Sequence, residues 1–318
     1  MQVNRYIALS KSSTNNQKVF LIIRIVLSAI ILIYLYQSII QNQKILKDLG
    51  AFNVSWSLFN IGLLISVIIL LPINWSLESM KWRILAGKAN ISFQKAIIGV
   101  MSGVTLDNIL PASTGSITGR VLSVDKESRM EVIPGILAGQ FLQSVVTFLF
   151  GLVGFWLAWT KNPDIFSWQL IHTIYLLGGG IIAMLALYFW RKKIPDFIKP
   201  ISQYSFFNWM NVLGLSIIRY LVFLGQFILL MQIFSPELDV LLQLGCATFV
   251  FAARTFLPKI SSLERLGIRA MAAVFFLDLF AQPYAGVLYA VVSLWMINLV
   301  IPSLIGLYLF RNQDLSGA

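Results

Sequence analysis

Six apolar runs dominate the pattern along the chain: 19–40, 56–77, 132–159, 169–190, 208–234 and 284–310. A membrane-crossing helix needs about 20 consecutive apolar residues, and each run is long enough. Trp56, Trp75, Trp156, Trp159, Trp168, Trp190 and Trp209 lie at run ends, where amphipathic rings settle at headgroup depth. Two further apolar stretches are interrupted. Residues 96–110 run into Asp107, Asn108, Pro111, Gly115, Gly119 and Arg120. Residues 240–257 meet Arg254, Pro258, Glu264, Arg265, Gly267 and Arg269. The pattern predicts an all-α polytopic transmembrane bundle of about six to eight spans. Two of its segments, 96–122 and 243–269, are broken by Pro and Gly, and are either re-entrant or full crossings.

The order of these elements repeats. Leu110–Pro111 and Leu257–Pro258 are the same dipeptide 147 residues apart, and Arg120 and Arg269 are 149 apart. The long runs pair at nearly the same offset: 19–40 with 169–190, 56–77 with 208–234, and 132–159 with 284–310. We expect a tail over 1–18, one transmembrane half over 19–160, a second over 161–310, and a tail over 311–318. Three full crossings per half invert the second half relative to the first. Paired, Pro/Gly-interrupted apolar segments in matching halves are the sequence mark of a transporter-type binding site. One departure stands out: 270–281 is apolar, whereas its counterpart 121–131 is charged. The second broken segment is therefore open to an alternative reading, a seventh crossing followed by a short eighth ending at Pro283.

Composition excludes a soluble chain. Of the 318 residues 58% are hydrophobic and 12% charged, against about 45–50% and about 25% in soluble domains. The 24 Lys+Arg outnumber the 13 Asp+Glu. The basic residues cluster beside apolar runs, which points to anchoring against anionic headgroups rather than to nucleic acid. By this rule Lys81, Arg83, Lys88 and Lys95 face the cytoplasm, as do Arg191, Lys192, Lys193 and Lys199. Both termini are expected there too, in a multi-pass protein of the cell (inner) membrane. The run 19–40 exceeds the apolar core of a cleavable signal and should remain as an anchor. Cys246 is the single cysteine and His172 the single histidine, so no metal site and no cofactor are expected. No nucleophile, zinc or phosphate-loop motif occurs, and no catalytic residue is assigned.

Non-helical backbone at membrane depth must be buried in protein or line a water-filled cavity. Charges there carry the same demand, because an Arg or Asp at the bilayer centre costs about 2.5–3.5 kcal/mol. A broken helix frees the amides of its second half, which with an arginine make an anion site. Arg120 and Arg269, just after their breaks, are the candidate anion ligands; the alternative is that they clamp the hairpins onto Asp107, Glu264 or carbonyls. Arg219 and Gln226 share a helix face two turns apart, and Arg219 lies too deep to snorkel. Substrate-binding candidates are thus Arg120, Arg219, Arg269, Glu264, Asp107 and Gln226. The helix breaks fall at Pro111, Gly115, Gly119, Pro258 and Gly267. Glu78, one turn from Asn74, is expected to pair with Lys81.

The stretch L-P-A-S-T-G-S-I-T-G-R-V-L (110–122) resembles the Pro, Gly-Glu, Arg signature of the lysylphosphatidylglycerol synthase transmembrane-region family, also described as flippase-like integral membrane proteins. F-L-P-K-I-S-S-L-E-R-L-G-I-R (256–269) resembles its second signature, and I-I-R-Y-L-V-F-L-G-Q-F (217–227) its arginine-bearing helix. The likeness covers roughly 20–310. It implies a membrane region that moves a lipid across the bilayer. The soluble aminoacyl-transferase domain of the best-known members is absent from this chain, so no synthase activity is expected. Ser116 stands where the family carries an acid, and Ala270 follows Arg269 where another acid is usual, which puts the substrate or its coupling in question. The expected function is translocation of a lipid or amphiphile with an anionic head between leaflets. The rivals are a membrane-embedded enzyme acting on a lipid-linked substrate and a non-transporting scaffold. The expected partner is a membrane lipid such as an anionic phospholipid, with no nucleic acid. A second copy of the chain or a separate lipid-modifying enzyme remains an open protein partner.

Overall fold

The computed structural model describes residues 54, 56–109, 114–161, 204–256 and 262–311. The described residues are 88% helical, with no strand among them. In lipid a helix satisfies its backbone within itself, which is why apolar sequence of this length takes no other form. The helices are α1 (Leu58–Leu85), α2 (Phe93–Ile109), α3 (Thr114–Leu122), α4 (Arg129–Lys161), α5 (Phe206–Phe234), α6 (Val240–Phe256), α7 (Ser262–Asp278), α8 (Ala285–Trp295) and α9 (Ile301–Arg311). A π-helical turn, Met296–Val300, joins α8 to α9 without a break in the rod.

Four of these segments are long and apolar enough to cross a membrane: Leu58–Leu85, Lys126–Leu157, Phe206–Phe234 and Ala285–Leu309. They correspond to four of the six apolar runs. The other two, 19–40 and 169–190, lie outside the described residues, as do His172 and the basic cluster 191–199. Only 22–33% of each crossing window is buried inside the protein. The outward faces carry Leu58, Phe59, Phe141, Leu304 and Tyr308, all largely exposed, as suits side chains in contact with lipid.

Local chemistry sets the ends. Ser57 and Ser205 cap α1 and α5, their hydroxyls accepting from the amides of Asn60 at 3.1 Å and Asn208 at 3.2 Å. α1 ends at Leu85, and Gly87 just beyond it is left-handed, with φ +53°. The Tyr204 hydroxyl then donates to the orphaned carbonyl of Leu85 at 2.5 Å, joining the end of α1 to the start of α5. α2 ends at Ile109 and α3 restarts at Thr114, while α6 ends at Phe256 and α7 restarts at Ser262. Both interruptions bracket a proline, Pro111 and Pro258, and both prolines lie outside the described residues. The two hairpins differ in length: α3 has 9 residues and α7 has 17.

α1 packs along α5, and α2 folds back on α3. α2 also leans on α9, and α6 leans on α4 before turning into α7. The main core lies where α5, α6, α7 and α8 meet, around Phe227, Leu230, Phe276, Leu277 and Leu294. A smaller core around Trp82, Leu85, Ala96, Val100 and Val132 joins α1, α2 and α4. Gly115, the second residue of α3, and Gly119, one turn further on, are both buried. A Cβ on Gly119 would fall inside the backbone of Gly103, and one on Gly115 inside the backbone of Leu106 and Asp107. These glycines therefore serve close approach of α2 and α3, the small-residue packing that membrane helices use. Gly267 lies within α7, likewise inside a helix.

Candidate functional site

Glu78 is the hub of a buried ionic cluster. It lies on α1 at 7% exposure, and its carboxylate faces three cations from three helices. Arg120 Nη2 of α3 is 2.6 Å from Oε1. Lys81 Nζ, one turn along α1, is 2.8 Å from Oε2, and Arg219 Nη1 of α5 is 3.3 Å from the same oxygen. Neutral groups complete the shell. Lys81 donates to Gln143 Oε1 at 3.0 Å, and Gln143 donates to the Ser216 carbonyl at 3.3 Å. Arg120 Nη1 donates to the Ser116 carbonyl at 2.8 Å. The Arg219 guanidinium lies over the Trp75 ring, 5.5 Å from its centroid, a cation–π distance.

A second cluster links the two hairpins. Arg265 Nη2 of α7 is 2.8 Å from Asp107 Oδ2 of α2 and donates to the Asp107 backbone carbonyl at 2.6 Å. Arg254 of α6 and Arg269 of α7 lie within electrostatic range of Arg265 and of each other. Arg269 is 3% exposed, and its Nε and Nη1 have no hydrogen-bond partner among the described residues. Ser116 bridges the clusters: its carbonyl takes Arg120, its amide approaches Asp107 Oδ1 at 3.4 Å, and its hydroxyl accepts from Gln140 at 2.9 Å.

Arg120, Arg219, Arg269 and Asp107 all lie in this polar interior. Arg120 is held by Glu78 and a carbonyl, the clamp arrangement, although its carboxylate is not Asp107 or Glu264. Gln226 does not join them; it is fully buried and donates to the Val67 carbonyl at 2.9 Å, tying α5 to α1. Glu264 opens α7, and its side chain lies outside the described set. Lys81 corrects a sequence expectation. It does not stand with Arg83, Lys88 and Lys95 at a headgroup surface but is 3% exposed against Glu78. The expected Glu78–Lys81 pair is present. Sequence reasoning missed that Glu78 also gathers Arg120 and Arg219, and that Gln143 and Trp75 belong to the same interior; Arg254 and Arg265 were singled out as charges that need burial but not as ligands. The available signal was Asn74, Glu78 and Lys81 at helical spacing in an apolar helix, one polar stripe that has to find partners.

Among the described residues the interior is unbalanced. Lys81, Arg120, Arg219, Arg254, Arg265 and Arg269 face two described carboxylates, Glu78 and Asp107. Adding Glu264 leaves the cations in excess. Removing one member of a buried pair strands the other, so Asp107→Asn should destabilise the chain by about 3 kcal/mol. Thermal unfolding in detergent measures this, and adding Arg265→Met to the Asn variant should restore most of the loss. Among the described residues no group of three or more His, Cys, Asp and Glu could hold a metal. No family model, curated protein or solved structure matches the chain.

Proposed function

We propose that this protein is a flippase-like integral membrane protein that takes an anionic headgroup into its polar interior and passes it between leaflets. The observation that carries the reading is the excess of buried positive charge. An uncompensated cation in a low-dielectric interior is costly, and a bound anion removes that cost. The spare donors of Arg269 point the same way. Arg120 serves as a clamp, and the headgroup ligands are Arg219, Arg254 and Arg269.

The helix contacts support two interlocked halves. α1 and α5, the second long run of each half, pack on each other. Each hairpin leans on the last span of the other half, α2 on α9 and α6 on α4. Such reciprocity suits an inverted repeat with its site at the repeat interface. On this reading the chain has six to eight crossings in the inner membrane, with both termini cytoplasmic, as a member of the lysylphosphatidylglycerol synthase transmembrane-region family. A membrane enzyme is less well supported. Both described interior carboxylates are bound by guanidinium or ammonium groups, which leaves neither free to act as a base.

The test is translocation in proteoliposomes of fluorescent lipids that differ only in the headgroup. The wild-type chain should move an anionic lipid faster than a zwitterionic one. Arg219→Lys and Arg269→Lys should lose much of that rate at near-normal thermal stability, because lysine keeps the charge but not the planar fork. Equal rates for both lipids, or for empty liposomes, would sink the reading.

A further inference from the structure

A small open cavity lies between α4, α5 and α6, lined by one set of polar residues, Gln143, Thr147 and Thr255, and a second, Arg219, Tyr220 and Arg254. The polar groups of the first set are already engaged. Gln143 uses its oxygen on Lys81 and its amide on the Ser216 carbonyl. The Thr147 and Thr255 hydroxyls donate back to the carbonyls of Gln143 and Phe251, each at 2.9 Å. The second set is not engaged in the same way. Arg219 Nε, Arg254 Nε and the Tyr220 hydroxyl are each buried without a hydrogen-bond partner among the described residues. Tyr220 is only 3% exposed, so water does not readily satisfy it.

The buried lining atoms left without a partner among the described residues are therefore all able to donate, and two of them sit on permanently charged guanidinium groups. A cationic group would add positive charge and leave the deficit in place, and a zwitterionic headgroup, whose phosphate is offset by its own cation, meets it only in part. A phosphate group, with several acceptor oxygens and one or two negative charges, fits it. The rest of the wall is apolar and fixed. Tyr220 stacks on Phe150 with centroids 4.5 Å apart, and Phe251 meets the edges of Tyr220 at 5.8 Å and Phe223 at 5.3 Å. Arg219 also reaches Glu78, by the longest of that carboxylate's three ionic contacts, 3.3 Å. It is the cation most easily shared with a newcomer.

We propose that the cavity between α4, α5 and α6 binds a phosphate group through Arg219, Arg254 and the Tyr220 hydroxyl, beside an aromatic wall that takes the apolar part of the molecule. This rests on the headgroup-binding reading above and names its chemistry. Glu78 acts as the resident anion on Arg219 until the phosphate arrives.

The full chain in detergent is titrated with three probes at matched concentrations: dihexanoyl phosphatidic acid, dihexanoyl phosphatidylcholine and inorganic phosphate. The variants are Tyr220→Phe and Arg254→Gln. Phenylalanine keeps the stacking and removes only a hydroxyl that has no partner, so unliganded Tyr220→Phe should be as stable as wild type or more so. Its affinity for phosphatidic acid should fall by roughly tenfold, the effect of one hydrogen bond to a charged group. Arg254→Gln should lose at least as much. Phosphatidic acid bound with this variant dependence supports a lipid phosphate. Inorganic phosphate bound equally well, with the same dependence, supports the site with free phosphate as its source. Phosphatidylcholine bound as tightly as phosphatidic acid, no probe bound, or binding indifferent to both variants would each overturn the proposal. The site and the transport reading fail separately. Binding without translocation removes only transport, and translocation with none of these binding effects removes only this pocket.

Discussion

Glu78→Gln is expected to be among the most damaging single substitutions in the chain, costing about 3–5 kcal/mol or more of stability. The substitution is nearly isosteric, so packing is retained while the charge is lost. Three cations would then surround a neutral amide whose nitrogen adds a donor to a group that already has too many. Arg120, at 2.6 Å from Oε1, and Lys81, at 2.8 Å from Oε2, lose most. Arg219 keeps the Trp75 face and loses less. The measurement is thermal unfolding of the purified variants in one detergent. Glu78→Asp should be intermediate, since it keeps the charge but shortens the reach. Adding Lys81→Met to Glu78→Gln should recover part of the loss, because it removes one of the stranded charges along with its desolvation cost. A Glu78→Gln variant as stable as wild type would show that the three cations do not depend on this carboxylate.

Gly119→Val should prevent the first hairpin from closing. Gly119 lies against the backbone of Gly103, with no flexible side chain between them to move aside. Overpacking a side-chain core costs about 1–3 kcal/mol, and a clash between two helix backbones should exceed that. It would also pull Arg120, the next residue, away from Glu78. The expected result is failure to accumulate as a monodisperse protein, with Gly119→Ala already impaired. Gly214→Ala and Gly225→Ala, in α5, are the controls. Neither added Cβ meets anything within 4 Å, and each removes a helix-interior glycine. Both controls should be neutral or stabilising by up to about 1 kcal/mol. Normal accumulation of Gly119→Val would refute the close approach of α2 and α3.

The helices were largely legible in the sequence, because apolar length and Leu-Pro punctuation act locally. The described ends of α2 and α6, Ile109 and Phe256, each lie two positions before the proline of a Leu-Pro pair in the sequence. The continuation of α1 past residue 77 to Leu85 was not legible, since the apolar run stops at 77 and Lys81 and Arg83 read as part of a cluster facing the headgroups. They remain helical because Glu78 and Lys81 find partners on other helices. The candidate arginines were legible because charge in an apolar setting is conspicuous. Their pairing was not. Arg120 meets a carboxylate 42 positions away, on a helix whose acid already had a nearby partner. Gly115 and Gly119 were noticed as break residues, although what they provide is contact between helices, a property of two backbones that no single stretch reveals. Asn74 and Asn298 are similar. Their 3.2 Å hydrogen bond joins α1 to the π-helical turn across most of the chain.

An anionic headgroup should complete the excess of buried cations. Native mass spectrometry tests it most directly, with the full chain released from detergent containing equal amounts of an anionic and a zwitterionic phospholipid of the same acyl chains. The chain should retain the anionic lipid preferentially, and Arg269→Gln and Arg254→Gln should each reduce that preference. Equal retention of the two lipids, unchanged in both variants, would contradict it.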